Sequence, residues 1–248
     1  MRANVIVFEA ATFILFLVFY QGARRAMGRS RNRAFLLGAV LFSLAVETTA
    51  VLGGVKNFYW YSLNSYYKHY PLGGYIIWLG LVPLAACLLW YMVAASSYVA
   101  SSTLMPKRSI WARAAVAGAI ATGFYLLIEP VAVTNHWWTW NLKSFYIIDV
   151  PLLAWIGVFL TVFLFTAVYQ LTMVEGKEMP LIQKLEDLSI KRWPMRSRKH
   201  TKNLGFHQLV GVFLFRLAIA FVAFCAVMAP FMIVLWVIAN RGQIPPGW

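Results

Sequence analysis

Apolar runs recur along this chain at a length of about 20 residues, the span a helix needs to cross a bilayer core. The composition agrees: 61% of the residues are hydrophobic and only 12% charged, far from the usual soluble mixture. The pattern predicts an all-α polytopic membrane protein, with residues 1–248 forming a single transmembrane bundle. Spans are expected at roughly 4–20, 34–52, 73–99, 114–134 and 147–173. A last apolar run, 209–239, is too long for one perpendicular helix. Its first part is expected at the interface, before a span at about 217–239, with Arg216 snorkelling at the boundary. The count is six helices, or seven if the last run forms a re-entrant pair.

The net charge of +14 raises nucleic-acid binding as a function, but the placement of the charge argues against it. Sixteen of the 22 Lys and Arg residues fall in the segments after the first, third and fifth spans. That asymmetry is the positive-inside pattern, and it predicts contact with anionic lipid rather than nucleic acid. Those segments are therefore expected in the cytoplasm of a plasma-membrane protein, with both termini outside. The longest polar stretch, 175–208, becomes a cytoplasmic basic loop. Cys87 and Cys225 fall within spans and have no CxxC or zinc-like spacing, so neither a disulfide framework nor a zinc site is expected.

The eight acidic residues divide evenly. Glu175, Glu178, Glu186 and Asp187 share the polar loop, whereas Glu9, Glu47, Glu129 and Asp149 lie inside or at the edge of apolar runs. An intramembrane carboxyl is expensive, and its presence points to function. With a rise of about 1.5 Å per residue, the predicted orientation puts all four in the outer third of the bilayer. No Lys or Arg lies deep enough there to neutralise several carboxylates. Desolvation and mutual repulsion then favour a proton on one or more of them, giving an acid beside a base. For Asp149 a helix-capping role before Val150-Pro151 competes. A metal site from these acids with His69 or His136 would suit iron or manganese, but no HxxxH or ExxH pair occurs. Neither a metal nor a cofactor is expected.

Two hairpins of spans read alike. Span two carries Glu47 and enters an aromatic loop, Phe58-Tyr59-Trp60-Tyr61, before Val82-Pro83-Leu84 with Trp90 downstream. Span four carries Glu129 and enters His136-Trp137-Trp138-Thr139-Trp140, before Val150-Pro151-Leu152 and Trp155. Both run outward and return, as parallel repeats would. Interfacial aromatic belts are common, yet this density also suits an apolar ligand or a cationic intermediate.

These segments carry a resemblance over about residues 40–170. Glu47-Thr-Thr-Ala-Val-Leu-Gly53, Gly80-Leu-Val-Pro-Leu84 with Trp90, Glu129-Pro130-Val131-Ala132 with Trp138 and Trp140, and Tyr146 before Val150-Pro151-Leu152 are similar to the carotenoid biosynthesis membrane proteins that include the carotenoid tail hydratases. The resemblance implies addition of water to the terminal double bond of an acyclic carotenoid or isoprenoid, without a redox cofactor. It implies Glu47 and Glu129 as acid and base in an order left open; the shared depth of the four acids, not the resemblance, adds Asp149 and Glu9 as further catalytic candidates. Tyr59, Trp60, Trp138, Trp140 and Trp155 are the candidate substrate contacts. Two positions depart from the family pattern: Ala154 stands where Asn is expected, and Asp149 where a small residue is usual. The alternative is a non-catalytic subunit binding carotenoid, quinone or lipid within a larger membrane complex. For that reading, Ala114, Gly118 and Thr122 form a small-residue series open to a partner helix. A proton-coupled transporter is a third reading, for which the helices show few broken midplane segments.

Overall fold

The computed structural model describes residues 2–53, 59–61, 75–140, 145–148, 150–174 and 205–239. Six helices among them are long and apolar enough to cross a membrane. They are α1 (Arg2–Met27), α2 (Arg29–Gly53), α3 (Leu84–Leu104), α4 (Ile110–Thr134), α5 (Leu152–Tyr169) and α6 (Phe206–Ala239). A π-helical turn, Gln170–Val174, continues α5. The turns carrying Arg24 to Arg33 and Lys107 to Arg113 define one end of the bundle as basic; the intramembrane carboxyls define the other.

The third and fifth spans do not begin as helices. The expected starts at 73 and 147 give way to two small hairpins: β2 (Trp78–Leu79) with β3 (Val82–Pro83), and β5 (Tyr146–Ile147) with β6 (Val150–Pro151). Hydropathy sees apolar residues there and cannot see the backbone. Proline can. Pro83 and Pro151 both lack an N–H, both sit at helix N-caps, and both adopt extended geometry (φ −63°, ψ 140° and φ −65°, ψ 140°). Each forces the residue before it toward extended backbone. The first helical amide is then satisfied from the hairpin itself: Leu84 N–H donates to the Ile77 carbonyl at 2.9 Å, and Leu152 N–H to that of Phe145 at 2.8 Å. Gly80 takes the positive φ (64°) its two-residue turn needs, and Ile148 takes φ 52° at the matching position. A β-branched residue there is strained.

The matched hairpins support a duplicated architecture. β1 (Tyr59–Tyr61) pairs antiparallel with β4 (Trp138–Trp140), centred on Trp60 opposite Thr139. Equivalent strands meeting in this way form the isologous contact a twofold axis produces. One element of the expected repeat fails. Trp90 lies seven residues after Pro83, whereas Trp155 lies four after Pro151, so the two indoles are not equivalent.

Packing in lipid gains little from apolar burial itself and depends on close contact. Phe35, at the centre, meets Phe165 and Tyr169 edge-on, with both centroids at 4.8 Å, the favoured aromatic geometry. α4 and α5 approach closely at Gly118, where an added Cβ would lie 2.9 Å from the Phe159 carbonyl oxygen. The Ala114–Gly118 part of the small-residue series is thus occupied by this chain's own α5. Thr122 donates to the Gly118 carbonyl within its own helix.

The final run also differs from expectation. It is one helix over Phe206–Ala239, and Arg216 is buried rather than snorkelling, donating to Thr172 Oγ1 at 3.2 Å. The π turn, a feature often found at functional or strained positions, carries Thr172. The polar loop expected at 175–208 lies outside the described residues, except 205–208, where α6 begins.

Candidate functional site

The three acids among the described residues are all buried. Glu9 is 2% exposed, Glu47 8% and Glu129 3%. α1, α2 and α4 carry them near the helix ends away from the basic turns, beside the hairpins and the β1–β4 pair. Their surroundings differ.

Glu129 lies near the end of α4, and the chain turns back over it. Trp138 and Trp140 of β4 both donate indole N–H groups to Glu129 Oε2, at 2.8 and 3.2 Å. Strand alternation puts residues two apart on one face, which is why the Trp-Thr-Trp sequence delivers two indoles to one oxygen. Both bonds fall on Oε2 and leave Oε1 outside them.

Glu47 is reached from a different helix. Trp90 of α3 donates its indole N–H to Glu47 Oε1 at 2.6 Å. Its ring packs on Tyr125, with centroids 5.1 Å apart. Tyr125 lies one turn before Glu129, and its buried hydroxyl is within electrostatic range of both Glu47 and Glu129. The two carboxyls lie near enough to influence each other electrostatically, and the Trp90–Tyr125 ring contact joins the indole partner of Glu47 to the helix that carries Glu129.

Glu9 does something else. Its two carboxyl oxygens accept the backbone amides of Ile76 (2.8 Å) and Ile77 (3.1 Å), tying α1 to the strand that leads into the first hairpin. An aromatic cover surrounds this tie. Phe8 stacks on Trp137 at 4.0 Å, and the Tyr75 hydroxyl donates to the Trp137 carbonyl at 3.0 Å. Burial pushes the Tyr75 hydroxyl well above the usual phenol range, and the Glu9 and Glu47 carboxyls push the same way. It remains a neutral donor.

Of the remaining candidates, Asp149 lies outside the described residues. Tyr59 and Trp60 are placed through their backbone: β1 sets Tyr59 opposite Trp140 and Trp60 opposite Thr139. Trp155 is buried in the main core on the first turn of α5, and its indole N–H has no hydrogen-bond partner among the described residues. No group of three or more His, Cys, Asp or Glu side chains able to hold a metal occurs among the described residues.

Several members of the site were not chosen from the sequence. In the sequence, Trp90 stands out only as part of the repeat, with no sign of its bond to Glu47. Tyr125 and Ser43 each lie four residues before a buried Glu, the helical spacing that puts two side chains on one face. That spacing was the available signal. Ser43 also lies within hydrogen-bonding range of the Cys87 thiol.

No curated protein and no solved structure matches the chain significantly. The family model described as carotenoid biosynthesis protein matches residues 2–239. That match takes in every helix, both hairpins and both carboxyl–indole groups, and the chain belongs to the carotenoid biosynthesis protein family.

Proposed function

We propose that this protein is a cofactor-independent hydratase, adding water to the terminal double bond of an acyclic carotenoid or related isoprenoid. The observation that supports the reading is the burial of Glu47 and Glu129 on different helices, within electrostatic range of each other and of Tyr125, with three indoles donating to them. A proton from one carboxyl adds to the less substituted carbon of the trisubstituted alkene and leaves a tertiary cation. Indole and phenol rings stabilise that cation through their faces, and preorganised charge stabilises it further. The second carboxyl removes a proton from the attacking water. The product is a tertiary alcohol, with no change of oxidation state overall.

The test is expression in a lycopene-producing host. The wild-type chain should yield product heavier by one water, and Glu129→Gln should abolish it, because the amide cannot deliver or accept the proton. Undiminished hydration by Glu129→Gln would refute the assignment. In the same reading the basic end faces the cytoplasm and anionic lipid, both termini lie outside, and the plasma membrane holds the protein.

A second reading, a non-catalytic subunit holding carotenoid, quinone or lipid in a larger complex, draws on Glu9. Its two backbone bonds are an architectural use of a buried carboxylate. Stoichiometric partners on purification, with no hydrated product, would favour it.

A further inference from the structure

Beneath the Glu47–Trp90 bond lies a small hollow between α2, α3 and α5. It offers about 10 Å³ and is lined by Ala39, Ser43, Trp90, Ala94, Thr161 and Phe165, among others. That is the order of space one water needs, provided polar partners are present. They are. Ser43 and Thr161 are each only 2% exposed, and Thr161 Oγ1 has no hydrogen-bond partner among the described residues. Ser43 donates to the Val40 carbonyl at 3.2 Å, which leaves its oxygen able to accept.

The two matched hairpins carry different residues at the positions that line this hollow. Counting back four residues from each Glu, Ser43 corresponds to Tyr125. Counting ten forward from Pro83 and Pro151, Thr161 corresponds to Val93. At the matching positions the bulky ring of Tyr125 stands for the serine, and Val93 for the threonine. One hydroxyl comes from each repeat, Ser43 from the Glu47 hairpin and Thr161 from the Glu129 hairpin, and they meet on the side of the bundle beside Glu47.

We infer that the Ser43–Thr161 hollow binds the water consumed in the reaction, which makes Glu47 the base and Glu129 the proton donor. The inference rests on the hydratase reading above. Thr161 Oγ1–H donates to the water oxygen, and one water hydrogen is donated to Ser43 Oγ. Ser43 stands one turn, about 6 Å of rise, below Glu47. On the other side, Glu129 Oε1 gives its proton to the alkene carbon, whose π pair forms the new C–H bond. A water lone pair forms the C–O bond to the tertiary cation, and the oxonium proton passes to the Glu47 carboxylate. Glu129 has then lost one proton and Glu47 gained one, and return of that proton resets the pair. A cation that meets no water has one other exit: it gives a proton back and becomes an alkene again.

That alternative exit supplies the test. Purified wild-type protein, Thr161→Val, Thr161→Ser and Ser43→Leu are incubated with lycopene in D2O. Alcohol formation and deuterium in the recovered lycopene are both measured. Thr161→Val keeps the shape and removes the hydroxyl. It should lower alcohol formation about tenfold, the equivalent of one lost hydrogen bond, while deuterium still enters recovered lycopene. Thr161→Ser should restore the alcohol, and Ser43→Leu, which fills the hollow, should lose alcohol and keep exchange. Wild-type rates in Thr161→Val would overturn the water site while leaving the hydratase reading intact. Joint loss of alcohol and exchange in both Thr161→Val and Ser43→Leu would overturn it too, because the hollow would then be needed for substrate or for the fold. A wild-type chain that makes no alcohol sinks the hydratase reading itself.

Discussion

Removing the Glu9 carboxyl separates an architectural acid from a catalytic one. Its oxygens are the acceptors for the Ile76 and Ile77 amides, and each amide left without a partner costs about 1–3 kcal/mol when buried. The Ile76 and Ile77 side chains are 69% and 44% exposed, so rehydration of those amides offsets part of the loss. Glu9→Ala should therefore destabilise by about 2–4 kcal/mol, taking the lower part of that range for two bonds. Glu9→Gln keeps one acceptor oxygen and should lose roughly half as much. At about 2–4 °C per kcal/mol for a chain of this size, the alanine variant should melt roughly 5–15 °C below wild type in detergent, followed by tryptophan fluorescence. Glu9→Gln should fall between the two and still form alcohol in a lycopene-producing host. An unchanged melting temperature in Glu9→Ala would refute the anchoring argument. Loss of alcohol by a Glu9→Gln protein that melts like wild type would show that Glu9 takes part in proton transfer.

Other substitutions test the packing and the site. Gly118→Ala should destabilise by about 1–3 kcal/mol, because its Cβ meets backbone that cannot move aside, whereas Gly123→Ala, with nothing within 4 Å, should be neutral or slightly stabilising; paired thermal melts check this. Tyr91→Phe removes the hydroxyl that donates to Asn32 Oδ1 at 2.7 Å and leaves that oxygen buried, so a loss of about 1–3 kcal/mol is expected in the same assay. Trp138→Phe takes one of the two indole donors from Glu129 and should lower alcohol formation roughly tenfold or more, with Trp140→Phe, the longer bond, affecting it less.

Much of the architecture was legible in the chain. Six spans, and the placement of Glu9, Glu47 and Glu129 near one end of their helices, followed from run lengths and from counting residues to the nearest span end. Where the reading went astray, it did so for identifiable reasons. The starts of the third and fifth spans are apolar, yet Pro83 and Pro151 turn them into hairpins, a backbone effect to which hydropathy is blind. Arg216 is long enough to snorkel, but the π turn brings Thr172 to it inside the bundle. Gly118 looked open to a partner, and its own α5 fills the place.

The sequence by itself determined depth. Helical rise is nearly constant, so position within an apolar run tells how far a residue lies from the membrane surface, whatever it packs against. It could not determine direction around the helix axis, which depends on how neighbouring helices settle. Only the tertiary structure decided that Glu47 takes its indole from Trp90 on another helix and Glu129 from its own returning strand. The same packing sent Glu9 to two backbone amides, and it left the space beside Ser43 and Thr161 on one side of a duplicated fold.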